Sequence, residues 1–401
     1  MVSQRYVLAS LGLGLLLFVP LLPDGFCKFD PQTLKIRVVL FGEGWSVMPT
    51  IMMTDPKITA ITIPAGDATY AAHMKRFMRI YMPRTYDDWL DKVDVFILSD
   101  LVPWGFTGEQ LKWMKESIRD AGTGMILSEM GWYGITGWTG NACEDWMKTP
   151  VYDAYPCDMV LNEENAVCSF IEVVHEGPFL NLPGIEQVAF ADQQGLHVPR
   201  PGATTWAVYK RGREAAIMSR PYGKGMAVAN AMGLERFKQP YYEWKYYKDY
   251  FINHVYLAAS VSIPEDLELV HSVRAGLEGF RDRKTMILAM IDFIDKFKAN
   301  TRPVEKMLAD LAPIRKQAEE LYLQQRYEES ASLIDEAMKR FDEIDALSVK
   351  LRDQALLWIY VIEWSAVSAT SLLTGVLLWT LMVRRKLYRE VGTTREADRR
   401  I

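Results

Sequence analysis

The sequence predicts an α/β fold with a doubly wound, mostly parallel sheet, followed by a helical stalk and a C-terminal transmembrane helix. Three observations carry this expectation. From Leu34 onward, short apolar runs alternate with amphipathic stretches, as parallel strands joined by crossover helices do. Residues 264–354 then become rich in Lys, Glu, Leu, Ala and Arg, with glycine scarce after Gly279. Finally, Ser365–Val383 carries no charge across 19 residues and meets Arg384, Arg385 and Lys386 at its end.

The elements follow in order. "KIRVVLFG" (35–42) reads as a buried strand and "AITIPA" (60–65) as a second. "TYAAHMKRFMRIYM" has a helical pattern, and "VDVFILSD" (93–100) is a third strand, dense in β-branched and apolar residues. "TGEQLKWMKESIRDAG" (107–122) is an amphipathic helix with Thr107 as N-cap and Gly122 as its stop. "GMILSE" is the next strand, and it runs into a corner at Glu129, Met130 and Gly131. Beyond it, "CSFIEVV", "EQVAFA", "TTWAVYK" and "EAAIMSRPYGKGMAVANAM" look strand-like, and "PYGKGMAVA" reads as a hairpin turned by Gly223 and Gly225. A helix over 241–260 closes the domain, with Trp244, Tyr247, Phe251 and Val255 as its core stripe.

After Pro264 the pattern is helical, with Pro303 and Pro313 marking starts or breaks. "AEELYLQQRYEESASLIDEAMKRFDEI" resembles one tetratricopeptide-type helical pair, with Ala318, Tyr322, Tyr327, Ala331 and Ala337 at packing positions. One such unit does not make a solenoid. The expected organisation is a signal sequence or signal anchor over 1–27 and an α/β domain over 28–262. A helical stalk over 263–354, a transmembrane helix over 355–383 and a basic cytoplasmic tail over 384–401 complete it.

The net charge of −5 and the lack of a central Lys/Arg block argue against nucleic-acid binding. Tyr6–Pro23 is apolar, preceded by Arg5, and is about as long as the shortest bilayer-spanning helices. The C-terminal tail has seven Arg/Lys against three acids, which places it in the cytoplasm and residues 25–360 outside. Trp364 and Trp379 stand near the ends of the span as interfacial anchors, with Glu363 just beyond it. No C-x-x-C or paired His spacing supports a metal site among Cys27, Cys143, Cys157 and Cys168. An extracytoplasmic body favours a disulfide, with Cys143–Cys157 first and Cys157–Cys168 second.

"VVLFGEGW", "DVFILSDL", "GTGMILSEMGWYGITG" and "TPVYDAYPCDM", then "HEGPFLNLPGI" and "YGKGMAVA", resemble a glutamine amidotransferase-like family over about 35–260. The resemblance implies the class I glutamine amidotransferase fold, close to flavodoxin-like sheets. It also implies a Cys nucleophile at the strand-to-turn corner, activated by a later His and Glu. The corner here offers Glu129, Met130 and Gly131, Cys143 lies beyond the turn, and no H-x-E follows a late strand. Glutaminase activity is therefore not expected, nor is a cofactor.

Glu43, Asp100 and Glu129 each stand at the C-terminal end of an expected strand, the edge where open α/β sheets bind ligands. With Trp45, Trp104 and Trp132 nearby, and His175 in "VVHEGP", they form a candidate pocket for a polar ligand such as a sugar or cation. The acids also suit plain capping of the next helix or turn, and His175 a structural hydrogen bond. Two functions stand. One is a membrane-anchored, non-catalytic binding, sensing or assembly module, its stalk open to another membrane or envelope protein. The other is a surface hydrolase acting on glycan or cell-envelope polymer through paired carboxylates.

Overall fold

The computed structural model describes the chain except residues 1–28, 31, 43–46, 65–70, 100, 102, 129–141, 161–169, 191–195, 233, 235–242, 298 and 398–401. The expected signal segment, 1–27, thus lies outside the described residues. The chain divides into two compact units, Met1–Arg274 and Ala275–Ile401.

In the first unit the order is β1 (Ile36–Gly42), α1 (Met48–Met52), β2 (Ile58–Pro64), α2 (Ala71–Tyr81) and α3 (Tyr86–Lys92). Then come β3 (Val95–Ser99), α4 (Gly108–Ala121), β4 (Gly124–Ser128), α5 (Ala142–Met147), β5 (Cys157–Val160) and β6 (Ile171–Val173). β7 (Leu196–Pro199), β8 (Thr204–Tyr209), β9 (Ala215–Tyr222), β10 (Gly225–Asn230) and α6 (Tyr247–Ala258) follow, and the first turns of α7 (Leu267–Asp295) close the unit. Eight strands make one sheet in the order β2-β1-β3-β4-β10-β9-β8-β6. The neighbours from β2 to β10 are parallel, and the pairs beyond β10 are antiparallel. β5 and β7 form a separate antiparallel ribbon.

The central strands are apolar throughout because both faces are covered. Val38, Leu40, Ile97 and Ile126 pack with α1 and α6 on one side. Val39, Phe41, Phe96, Leu98 and Leu127 pack with α2, α3 and α4 on the other. Trp89 of α3 is fully buried there and donates Nε1–H to Ser117 Oγ at 3.0 Å, so its one polar atom is satisfied. The doubly wound layering is as expected.

Local signals explain the ends. Thr107 Oγ1 accepts from Gln110 N (3.2 Å) and Gln110 Oε1 accepts from Thr107 N (2.9 Å), a closed capping box. Gly122 ends α4 with φ 77, in the left-handed region. The β9–β10 hairpin turns on Gly223 and Lys224, with positive φ at Gly223 alone, the pattern of a type II′ turn.

Three expectations need correction. "EQVAFA" is not a strand: Ile185–Gln187 is a 3-10 turn, and Glu186 Oε1 accepts from Val173 N at 2.9 Å. A side chain there takes the place of a neighbouring strand at the sheet edge. The closing helix starts at Tyr247 and is buried nearly all round, so Tyr250 and Tyr256 join its core while Trp244 precedes it. The expected Cys143–Cys157 bridge is not seen: there is no disulfide among the described residues. Cys157 is buried on β5, while the side chains of Cys143 and Cys168 are not described.

The second unit is helical. The rest of α7, α8 (Arg302–Asp310), α9 (Ala312–Leu323) and α10 (Tyr327–Ala397) follow one another, with proline in the first turn of both α8 and α9. Phe280, Ile291, Val304, Leu308 and Phe341 share one core. Ala318, Tyr322 and Ala337 are buried as the packing pattern predicts, and Ser330 Oγ bonds Ala318 O at 2.8 Å. α10 runs 71 residues without a break at the expected stalk–span boundary. Among its described side chains Ala355 is the last buried one, and from Leu357 to Tyr388 the helix is exposed apart from half-buried Ile359. It is one helix long and apolar enough to cross a membrane.

Candidate functional site

β1, β3 and β4 are neighbours and end at Gly42, Ser99 and Ser128, each one residue before Glu43, Asp100 and Glu129. The strand ends fall where the sequence places them. The three acids themselves, with Trp45 and Trp132, lie outside the described residues, and Trp104 has a described backbone only.

Beneath that edge the sheet carries a buried polar row. Ser99 pairs in register with Ser128, and Ser128 with Asn230, all on the α6 side. Ser128 Oγ accepts from Leu234 N at 3.1 Å. Asn230 uses every polar atom it has. Its Nδ2 donates to Tyr250 OH (2.8 Å) and to His254 Nε2 (3.3 Å), and its Oδ1 accepts from Met232 N (3.0 Å).

His254 Nδ1 lies 2.8 Å from the Tyr250 carbonyl, which can only accept, so Nδ1 carries the proton. Burial pushes the ring down to about 4, against a smaller upward pull from that carbonyl. Phe179 and Tyr250 meet it edge-on at 4.8 and 4.6 Å. His254 is a neutral structural histidine, with both nitrogens committed. This locked network was invisible in the sequence, because its members are scattered over β10 and α6.

A second buried polar cluster sits where the chain enters β2. Arg274 bridges Asp249 (Nη1–Oδ1 2.6 Å) and Asp55 (Nη2–Oδ2 2.8 Å). His271 Nδ1 is 2.6 Å from Asp249 Oδ2, and Tyr256 OH donates to Asp55 at 2.8 Å. Burial raises the Asp249 carboxyl, but the hydrogen bond from His271 and the Arg274 charge outweigh it and hold it below its usual range. One guanidinium thus meets a carboxylate on either side, and the cluster clamps the start of α7 to α6 and to the chain ahead of β2. No group of three or more metal-ligating side chains gathers among the described residues.

His175 is the one expected site residue with a described side chain. It follows β6, four strand steps from β4, or roughly 19 Å at ordinary strand spacing. It is therefore separate from the strand-end edge. Its ring meets Trp206 edge-on at 4.7 Å. The next residue, Glu176, lines a groove of about 630 Å³ that Val173, at the end of β6, also borders. The sequence offered no signal for this groove, since its lining comes from the irregular segment after His175.

No protein-family model matches the chain, and no curated protein does. Among solved structures the chain is similar to the cytoplasmic protein STM3548 from Salmonella typhimurium, at 16% identity and TM-score 0.45, over 56% of this chain and 99% of that one. It is also similar to the cytoplasmic protein STM1381 from Salmonella typhimurium LT2, at 14% and 0.44, over 55% and 98%. A β-galactosidase from Bacillus circulans sp. alkalophilus matches at 10% and 0.32, over 57% of this chain and 32% of that one. These likenesses are too distant to assign an activity.

Proposed function

We propose that this is a membrane-anchored binding or assembly module, whose glutamine amidotransferase-like domain lacks the family's chemistry. The observation that carries it is the end of α10. Ser365–Val383 spans about 29 Å as helix, close to the ~30 Å hydrocarbon core of a bilayer. Leu372, Leu373, Val376, Leu377 and Trp379 on that stretch are each more than half exposed. An apolar surface of that extent requires cover, and lipid supplies it on every side at once.

The hydroxyls within the stretch fit the same solvent. Thr370, Ser371 and Thr374 each donate to the carbonyl four residues back at 2.8 Å, which leaves no unmet donor on those side chains. Arg384, Arg385 and Lys386 then anchor the cytoplasmic side, with the α/β domain outside the cell. A binding role accords with the missing Cys at the corner and with a domain histidine fully committed to the core. The test is alkaline extraction of membranes carrying the full chain. The chain should stay in the pellet, and Val376→Asp together with Leu373→Arg should release it into the supernatant.

A further inference from the structure

We infer that the corner between α7 and α8 rests on the bilayer, with the Phe293 and Phe297 rings in the headgroup layer beside the span. The contact rests on the reading of α10 as a membrane helix and adds a second foothold next to it. Within the helical unit α7 and α10 run side by side in the same direction. A Cβ on Gly276 would meet Ile334, the Phe280 ring meets Phe341 edge-on at 4.8 Å, and Arg283 Nη1 pairs with Asp342 Oδ1 at 2.8 Å. Ile294 lies as far past Phe280 as Ala355 lies past Phe341, and both are buried. By the same step Phe297 comes to about the height of Trp358, since both helices rise equally per residue.

At that height the surface of α10 changes. Leu357, Trp358, Tyr360, Val361 and Ile362 are 46–67% exposed. Such closely spaced residues point all round a helix axis, so a single partner helix leaves some of them in water, whereas lipid covers them all. The corner of α7 meets the same layer. Phe297 N–H donates to Ile294 O at 3.0 Å, which closes the turn after α7 and sets the ring beside Phe293. The two rings meet edge-on at 5.1 Å and are 38% and 39% exposed, so they form one aromatic face at the height where α10 becomes apolar all round. Asp292 and Asp295 are exposed on the same turn as Lys296, so net charge does not draw the corner down. The rings do, as apolar side chains of interfacial helices do, and zwitterionic phospholipid suffices.

The experiment is photolabelling of the full-length chain in phosphatidylcholine vesicles, with adducts mapped by mass spectrometry. One lipid probe carries a diazirine at the glycerol end of an acyl chain, the other at its methyl end. The glycerol-end probe should label residues 293–297 together with 357–362, and the methyl-end probe should favour 365–383. Phe293→Asp combined with Phe297→Asp should abolish the glycerol-end adducts on the neighbouring Lys296 and leave those on Trp358. Both positions are exposed, and an unchanged circular dichroism spectrum will confirm folding. Methyl-end labelling of the span with no adduct at 293–297, or adducts on Lys296 that survive the double substitution, overturns the inference and leaves the span standing. Absence of both kinds of adduct overturns the span and the inference together. A linked dimer formed on oxidising Phe297→Cys but not the parent chain, without lipid adducts at 293–297, would assign the face to a second copy and overturn the lipid contact.

Discussion

Arg274 Nη1 stands 2.6 Å from Asp249 Oδ1, with the two side chains only 4% and 1% exposed. A guanidinium so enclosed persists because carboxylates meet it from both sides, Asp249 from α6 and Asp55 ahead of β2. Removing it takes the guanidinium from both, although His271 still meets Asp249 and Tyr256 still meets Asp55. Arg274→Ala should destabilise the fold by about 3–5 kcal/mol, read as a shift in denaturant midpoint. Asp249→Asn should cost less, since it removes a charge but leaves a hydrogen-bonding side chain of the same shape. Equal, small shifts for both would mean the cluster is not buried as described.

The depressed Asp249 carboxyl has a pH consequence. Its folded value lies below the ordinary 3.8, so its stabilisation is complete above that value and fades as pH falls below it. His254 acts over a different window. Its folded value of about 4 lies below the unfolded 6.5, so the unfolded chain binds a proton first. Stability should therefore decline as pH falls from about 6.5 to 4, by ~3 kcal/mol at most from this group. His254→Asn should lower the plateau near neutrality yet flatten that decline. An unchanged slope in the variant would show that another group sets it.

Gly223 makes a sharper claim about the hairpin. Its φ of +62 is left-handed, and an added Cβ would fall 2.2 Å from the Arg119 carbonyl oxygen at the end of α4. Both strain and collision oppose any side chain. Gly223→Ala should cost about 1–3 kcal/mol, whereas Gly202→Ala meets open space and should suffer only from its φ of +81. The comparison by thermal melting separates the collision from the backbone strain.

Glutamine should not be hydrolysed. No cysteine stands at the corner, and His254 has both nitrogens engaged inside the core. The purified chain should release no ammonium from glutamine above the buffer rate. A rate that disappears on Cys143→Ser or Cys157→Ser would reinstate a nucleophile and overturn the non-catalytic reading.

Much of the fold was legible because it is written in local pattern. "VVLF", "VFILS" and "GMILS" are apolar on both faces, which only a covered parallel strand needs, and Thr107 and Gly122 mark the ends of α4 by their own chemistry. "EQVAFA" misled because alternating apolar residues also suit a turn whose Glu186 caps an edge strand. The Asp55–Arg274–Asp249 cluster could not be read, since its members are separated by up to about 220 positions and only folding makes them neighbours. Of the expected site, the strand ends stand where the pattern placed them. His175 lies elsewhere, because an antiparallel extension of β9, β8 and β6 carries it away from β4.

The central claim is that α10 crosses a bilayer with the α/β domain on one side and the basic tail on the other. Protease protection on intact cells tests it most directly, using antibodies against the domain and against residues 384–401. Added protease should digest the domain and leave a protected fragment that still carries the tail. Loss of the tail with survival of the domain would invert the orientation. Digestion of both, with no protected fragment, would contradict a membrane span altogether.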